Sequence, residues 1–272
     1  MRIVIYANCQ GIGIRKFLRL FTDDDERLEI LNYENYKIIL GEQPVEPLLR
    51  DAGLADVFIY QPVYRAHGVC STDPDTENVR TATRAGCRLV SFPYLYNDGL
   101  WPLYHEGISQ NVEVISRIFA EGGTLDDALA AYELGRLYFS LKERRLASLE
   151  LLKEREAPLE IQVGDFIEEH ILSHELFFVQ NHPTSALFHE VVGRIYELIF
   201  GKPVASGYSN LVGANYAELP GRYPIDRYCI EEGEIRYVDG PEDGAADYYK
   251  GLIRAHHKEW LKNRFADTSP RG

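Results

Sequence analysis

Two short polar segments of this chain contain residue types that carry out acyl-group chemistry. The first, Asn8-Cys9-Gln10-Gly11, directly follows the apolar run Arg2–Ala7. The second, Asn181-His182-Pro183, directly follows the apolar run Glu175–Gln180. A cysteine thiolate is a nucleophile, and a histidine beside a thiol stabilises the thiolate. The two segments therefore predict a nucleophile and a base, on condition that the fold brings them together.

Both residues also have a purely structural interpretation. Cysteine is among the most buried residue types, so Cys9 can be a small, unreactive side chain at the end of a strand. His182 can be a loop histidine that caps the following helix. Two observations favour chemistry. Amides flank Cys9 on both sides and need polar partners, and His182, alone among the 8 histidines, lies in a strand-end turn fixed by a following proline.

The elements around Cys9 are typical of an α/β protein. Apolar runs alternate with helical patterns, which predicts a doubly wound parallel sheet of the Rossmann-like or SGNH-like kind. Such sheets bind ligands at the carboxyl ends of their strands, where a helix N-terminus offers free N–H groups to an anion or oxyanion. Cys9 is expected at such a position. The predicted strands are Arg2–Ala7, Leu28–Tyr33, Ala55–Gln61 and Cys87–Phe92, and the predicted helices are Ile12–Phe21, Glu42–Ala52 and about 76–85.

The rest of the chain is predicted to be mainly helical. A helical insertion covers about 112–160, with an N-cap at Thr124-Leu125-Asp126-Asp127. After the strand Glu175–Gln180, a helix extends to Phe200. A small hairpin with arms Cys229-Ile230 and Ile235–Val238 and a closing helix, Asp243–Arg264, complete the chain. Because no linker or repeat interrupts the 272 residues, we predict a single α/β domain over 1–272.

Composition excludes several classes of function. The 42 acidic and 29 basic residues give a net charge of −13, which disfavours nucleic acid and anionic membrane surfaces as partners. Neither a signal peptide nor an apolar run of about 18 residues is present, so we expect no membrane span. The scattered cysteines Cys9, Cys70, Cys87 and Cys229 signal no metal site or disulfide framework, and a cytoplasmic location is expected. The sequence leaves a homo-oligomer open.

Four motifs together resemble the WcbI-type polysaccharide biosynthesis family. They are Asn8-Cys9-Gln10-Gly11, Asp56-Val57-Phe58-Ile59-Tyr60-Gln61-Pro62, Phe92-Pro93-Tyr94 and Asn181-His182-Pro183, and the resemblance extends to about Phe200. It implies an α/β protein that binds coenzyme A and transfers an acetyl group from acetyl-CoA to a sugar of a capsular or surface polysaccharide. The turn at Cys9 is also similar to that of SGNH-type esterases, with cysteine in place of serine. Those esterases carry an aspartate three residues before the histidine, where this chain has Val179.

The resemblance implies a site as well as an activity. Cys9 and His182 become the catalytic pair, and Gln10 belongs to the polar lining around the thioester. From the residues alone, the candidate donors to an oxyanion are the Cys9 N–H and the side-chain amide of Asn8 or Gln10. The phosphates of the coenzyme require local cations, because guanidinium groups bind phosphate in a bidentate manner. The implied polar lining is Asn8, Gly11, Gln61 and Asn181, and the candidate cations are Arg15, Lys16, Arg65, Lys142 and Arg145. The aromatic side chains Tyr94, Tyr96, Trp101 and Tyr104 line a sugar or adenine pocket, or simply pack a loop.

Two mechanisms and two other functions stay open. Either Cys9 forms an acyl-enzyme, or His182 deprotonates the sugar hydroxyl for direct attack on the thioester while Cys9 shapes the site. A cysteine-based esterase or thioesterase would use water as the acceptor. A non-catalytic module that binds a coenzyme or a sugar would need neither residue for its function.

Overall fold

The structure is a computed structural model, and it describes residues 1–106, 109–205 and 221–266. Its centre is a four-stranded parallel sheet in the order β2-β1-β3-β4. The strands are β1 (Arg2–Ala7), β2 (Glu29–Glu34), β3 (Val57–Tyr60) and β4 (Arg88–Ser91). The predicted α/β class and the four predicted strands are confirmed. β1 and β3 are the two inner strands, and their side chains from Ile3 to Ala7 and from Val57 to Tyr60 are buried because both faces of the sheet are covered there.

Side chains of β1 alternate between the two faces of the sheet. Val4 and Tyr6 pack into a cluster on one face, and Ile3 and Ile5 are fully buried on the other. The helices, in chain order, are α1 (Gln10–Phe21), α2 (Asn35–Ile39), α3 (Glu46–Ala52), α4 (Glu113–Ala120), α5 (Leu125–Glu133), α6 (Leu141–Glu156), α7 (Gly164–His170), α8 (Ser185–Phe200), α9 (Arg227–Glu231) and α10 (Ala245–Ala266).

Helix α1 packs against β1, β2 and α8. Gly13 permits this close approach, since a Cβ built on it would lie 2.3 Å from a carbon of the Phe188 ring. The rings of Phe17 and Phe188 stack across the same contact with centroids 5.9 Å apart. The helix that carries the first polar segment is thereby fixed against the helix that follows the second.

The predicted helical insertion is confirmed as α4, α5 and α6. A capping box starts α5: Thr124 Oγ1 accepts a hydrogen bond from the Asp127 N–H at 3.2 Å, and the Thr124 N–H donates to the Asp127 carboxylate at 2.8 Å. The predicted helices up to Phe200 and at the C-terminal end are also confirmed, as α8 and α10.

Two local predictions are wrong. Residues 76–85 form turns, because the Asn78 side chain bonds the N–H of Arg80 at 2.9 Å and the hydroxyl of Thr76 at 2.9 Å, and such local bonds compete with a helix. The hairpin over 223–238 is replaced by the short helix α9. Asp226 caps that helix by accepting from the Arg227 N–H at 2.6 Å, which turns Cys229 into a buried helical residue.

The strand predicted over Glu175–Gln180 is present in part, as β7 (Phe177–Val179). It pairs with β8 (His182–Pro183) in an antiparallel ribbon outside the four-stranded sheet. A further two-stranded ribbon joins β5 (His105–Glu106) to β6 (Ser109–Gln110).

The chain divides into two compact units. The first comprises Met1–Tyr96, Leu149–Ile171 and Glu175–Gly221, and the second comprises Asn97–Ser148, Leu172–His174 and Arg222–Gly272. The single domain over 1–272 stays a prediction. None of the helices in the described parts of the chain is long and apolar enough to cross a membrane. Among those same residues, no group of three or more acidic, histidine or cysteine side chains is placed to hold a metal ion.

Candidate active site

The turn after β1 places Cys9 at the start of α1. Asn8 organises this turn: its Oδ1 accepts a hydrogen bond from the Gln10 N–H at 2.9 Å, and its backbone carbonyl accepts from the Gly11 N–H at 2.9 Å. An asparagine side chain can satisfy backbone N–H groups that have no partner within the first turn of a helix. Cys9 itself is half-buried, and it forms no disulfide bond with another described residue. Gly11 is required by packing, since a Cβ there would lie 2.4 Å from Asn32 Oδ1.

Gln10 joins the Cys9 turn to two other segments. It is fully buried, and its Nε2 donates to the carbonyl of Leu95 at 2.7 Å and to the carbonyl of Asn181 at 2.8 Å. Its Oε1 accepts from the Leu95 N–H at 3.2 Å. Gln10 follows Cys9 in the chain and Asn181 precedes His182, so this one side chain ties the two predicted catalytic turns together.

Gln61, at the end of β3, completes the network. Its Nε2 donates to Gln10 Oε1 at 2.8 Å, and its Oε1 accepts from the Asn8 N–H at 2.9 Å. In the sheet, β2 lies on one side of β1, and β3 lies on the other side. The strand order therefore reverses between β1 and β3. Ligands of open parallel sheets bind outside the strand ends at such a point.

His182 lies in the β7–β8 ribbon, opposite Val179, and is buried. The ribbon is held by Thr184, whose N–H donates to the Leu176 carbonyl at 2.9 Å and whose hydroxyl donates to the Glu175 carbonyl at 2.7 Å. Gln180 stands two residues before His182 in the chain. Its side chain is only 3% exposed, and neither of its polar atoms has a hydrogen-bond partner among the residues described. Buried polar atoms nearly always have partners, so Gln180 marks a place where a ligand or water belongs. Sequence reasoning missed Gln180.

A cavity of about 580 Å³ opens at the carboxyl edge of the sheet. Its wall is formed by residues that follow all four parallel strands: Asn8 after β1, Asn35 after β2, Gln61 after β3 and Tyr94 after β4. Small-molecule sites commonly have volumes of about 300–1,000 Å³. Two residues of the hydrogen-bond network, Asn8 and Gln61, therefore line a space large enough for part of a coenzyme.

The candidate cations predicted from the sequence do not lie together in the structure. Arg65 is exposed and lines the cavity. Arg15 is exposed on α1. Lys142 and Arg145 belong to the second unit, where both pair with the Glu234 carboxylate at 2.8 and 3.0 Å. Since those ion pairs already satisfy their charge, binding a phosphate there would require breaking them.

Arg155 is a cation of the cavity that sequence reasoning missed. It lines the cavity together with Arg65, and neither makes an ion pair within the described parts of the chain. The helical pattern of the sequence predicted that Arg155 lies in α6. It did not predict which side of α6 faces this cavity. Of the aromatic stretch, Tyr94 lines the cavity, whereas Trp101 and Tyr104 are buried in the second unit.

A parallel sheet with a largely apolar cavity at its carboxyl edge, lined also by two arginines and by polar strand-end side chains, defines an α/β protein with a small-molecule site at a strand-order reversal. The chain belongs to the WcbI family of polysaccharide biosynthesis enzymes, because the family model described as "Polysaccharide biosynthesis enzyme WcbI" matches residues 2–200. The expected family resemblance, and with it the status of an enzyme in polysaccharide biosynthesis, is confirmed.

The fold is also similar to a solved structure of WcbI. The two chains share 20% sequence identity with a TM-score of 0.70, over 96% of this chain and 90% of the other. That structure is described as the native protein without a disulfide bond between coenzyme A and one of its own cysteines. A search of curated proteins found no match.

Proposed function

We propose that this enzyme transfers an acetyl group from acetyl-CoA to a hydroxyl group of a sugar during the synthesis of a capsular or surface polysaccharide. The observation that carries the proposal is the pair of bonds from Gln10 Nε2 to the carbonyls of Leu95 and Asn181. They hold the turn of Cys9 against the turn of His182, which supports the assignment of these two residues as nucleophile and base.

The cavity supports coenzyme A as the donor. Arg65 and Arg155 supply guanidinium groups for its phosphates, and Asp73 is the only carboxylate among the lining residues that the structure describes. Tyr94 is 40% exposed at the cavity and offers a ring face to the adenine or the pantetheine arm. The coenzyme A named in the description of the solved WcbI structure agrees with this choice of ligand.

In the covalent route, the Cys9 sulfur bonds to the acetyl carbon after its proton has passed to His182. The bond from that carbon to the coenzyme sulfur breaks, and the leaving thiolate takes up the proton. The sugar oxygen then attacks the acetyl carbon and its proton passes to His182, the bond from that carbon to the Cys9 sulfur breaks, and the Cys9 thiolate takes the proton back from His182. In the direct route, the sugar oxygen attacks the acetyl carbon of acetyl-CoA itself and gives its proton to His182, the bond from that carbon to the coenzyme sulfur breaks, and His182 passes the proton to the leaving thiolate.

In both routes Gln10 serves as a positioning residue. Its two donor hydrogens are engaged by the carbonyls of Leu95 and Asn181, so its contribution is to hold the turns rather than to contact an oxyanion. The oxyanion-donor role expected for Gln10 from the sequence is therefore not part of this proposal. The buried amide of Gln180 has no partner within the described chain, so its hydrogens are available to donate to a bound acyl oxygen.

Intact-mass spectrometry after a brief exposure to acetyl-CoA tests the proposal. The covalent route predicts a single acetyl adduct that is lost in Cys9→Ala and kept in Cys87→Ala, the matched variant at the other half-buried thiol. The direct route predicts no adduct and acetyl transfer that His182→Ala abolishes. Acetyl transfer that survives both Cys9→Ala and His182→Ala would refute the site. Rapid hydrolysis of aryl esters without affinity for coenzyme A would instead support an esterase.

A further inference from the structure

A second cavity, of about 480 Å³, lies within the second unit, between α4 and the segment 136–140. Its charged lining consists of three guanidinium groups, from Arg117, Arg136 and Arg144, against two carboxylates, from Glu113 and Glu121. Arg144 is already paired with the Asp98 carboxylate, with 3.8 Å between its Nε and Asp98 Oδ2, so the guanidinium groups of Arg117 and Arg136 are the two left to attract an anionic group.

The three arginines differ in how they are engaged. Arg144 is fixed within the unit: it donates to the Phe139 carbonyl at 3.4 Å and lies over the Tyr104 ring at 5.7 Å. Arg117 and Arg136 are exposed, and neither forms an ion pair or a side-chain hydrogen bond with any residue that the structure describes. Two guanidinium groups are thus available to a ligand at the cavity, and a guanidinium suits a carboxylate or phosphate in a bidentate contact.

The remainder of the lining suits a sugar better than a bare anion. Tyr138 is 59% exposed, and its hydroxyl donates to Glu143 at 2.7 Å, which leaves the ring available for contact with a sugar face. The carboxylates of Glu113 and Glu121 can accept hydrogen bonds from hydroxyl groups, but they would repel a ligand with several negative charges. A ligand rich in hydroxyl groups with few negative charges satisfies both requirements.

One wall of the cavity is fixed before any ligand binds. Ser140 has a φ of 54°, in the left-handed region that non-glycine residues rarely adopt. The Glu232 carboxylate holds this conformation by accepting from the N–H groups on either side, from Phe139 at 3.0 Å and from Leu141 at 2.7 Å. A wall that is already ordered lowers the entropic cost of binding.

We propose that this cavity binds an acidic saccharide, with Arg117 and Arg136 contacting its carboxylate or phosphate group and Tyr138 contacting a sugar ring. Its use as the docking site of the acceptor glycan rests on the function proposed above. The binding itself does not, because it requires neither acetyl-CoA nor Cys9.

Isothermal titration calorimetry on the full chain, without acetyl-CoA, tests the inference with 3′-sialyllactose, which carries a single carboxylate, with glucose 1-phosphate and with the neutral maltotriose. We expect saturable binding of at least one acidic sugar, and a loss of affinity of at least about tenfold in the double variant Arg117→Gln/Arg136→Gln. Arg254→Gln, at an exposed arginine of α10, is the matched control and should bind as the wild type does. Circular dichroism should show both variants folded.

The two acidic probes distinguish a carboxylate from a phosphate as the recognised group. Equal affinity for maltotriose, undiminished binding by the double variant, or no binding of either acidic sugar would overturn the inference. The acetyl adduct of the wild-type protein is measured separately. If acidic sugars bind but no acetyl transfer occurs, the proposed function fails while this site stands.

Discussion

Replacing Gln10 by methionine removes both polar atoms from the centre of the network while keeping the length of the side chain. The carbonyl and the N–H of Leu95 then lose the partners that bond them at 2.7 and 3.2 Å in a fully buried place. The Asn181 carbonyl also loses a partner, but it is partly buried and can be reached by water. Gln61 Nε2 loses its bond to Gln10 but keeps its hydrogen bond to the Pro93 carbonyl at 3.3 Å. At about 1–3 kcal/mol for each buried unsatisfied group, the two Leu95 groups predict a loss of about 2–6 kcal/mol.

Urea unfolding followed by far-UV circular dichroism measures this loss of free energy, and thermal unfolding should show a fall in Tm of about 4–12 °C. Circular dichroism is preferred to fluorescence because both tryptophans, Trp101 and Trp260, belong to the second unit and Gln10 belongs to the first. The matched control is Gln162→Met. Gln162 is exposed and donates to the carbonyls of Ala157 at 3.1 Å and Leu159 at 3.4 Å, so its replacement should cost less than about 0.5 kcal/mol.

If Gln10→Met and Gln162→Met lower the unfolding free energy by the same amount, the buried network does not hold the turns as described. A large loss for Gln10→Met with unchanged acetyl transfer would separate stability from catalysis and would remove Gln10 from the list of positioning residues.

Three other perturbations have expected outcomes that thermal or urea unfolding can check. Gly13→Ala should destabilise the protein by about 1–3 kcal/mol, because the new methyl group meets the Phe188 ring, whereas Gly193→Ala has open space and should stabilise α8 by about 0.5–1 kcal/mol. Thr124→Ala should cost about 1 kcal/mol through loss of the cap of α5. Burial raises the pKa of the Cys229 thiol from 9.0 to about 12, so stability should fall as the pH rises through that range, and less steeply in Cys229→Ala.

The sign of the last effect follows from proton uptake. Between these two pKa values the folded state keeps the proton of Cys229 and the unfolded chain loses it, so deprotonation favours unfolding. A slope that is the same in the wild type and in Cys229→Ala would contradict this reasoning. The glycine reasoning fails if Gly13→Ala is tolerated as well as Gly193→Ala, and the cap reasoning fails if Thr124→Ala has no effect.

Local sequence patterns were sufficient where packing agreed with them. The apolar runs predicted β1 to β4 with ends that differ by one or two residues, because a buried parallel strand must be apolar on both faces. They failed at Asn78 and at Asp226. In both places a polar side chain bonds a nearby backbone N–H, and that bond decides between helix and non-helix without changing the hydrophobic pattern.

The candidate site was predictable in its residue types but not in its connections. Strand-end placement after β1 pointed to Asn8 and Cys9, because ligands of parallel sheets bind at the carboxyl edge, and the family resemblance added Gln61. His182 was expected at the same sheet edge, but it lies in the β7–β8 ribbon outside that sheet. Which cations face the cavity was not predictable: Arg155 lines it, while Lys142 and Arg145 pair with Glu234 in the second unit. The direction of an arginine on a helix depends on what that helix packs against, which lies far away in the sequence.

The sequence by itself determined the class of the fold, the two polar turns and the family. Only the tertiary structure decided that Gln10 holds Asn181 although 171 positions separate them in the chain. Hydrophobic periodicity records which face of an element is buried, and it contains no information about which distant element covers that face. The hydrogen bonds that join the turns depend on the packing of α1 against α8, which places their donors and acceptors together.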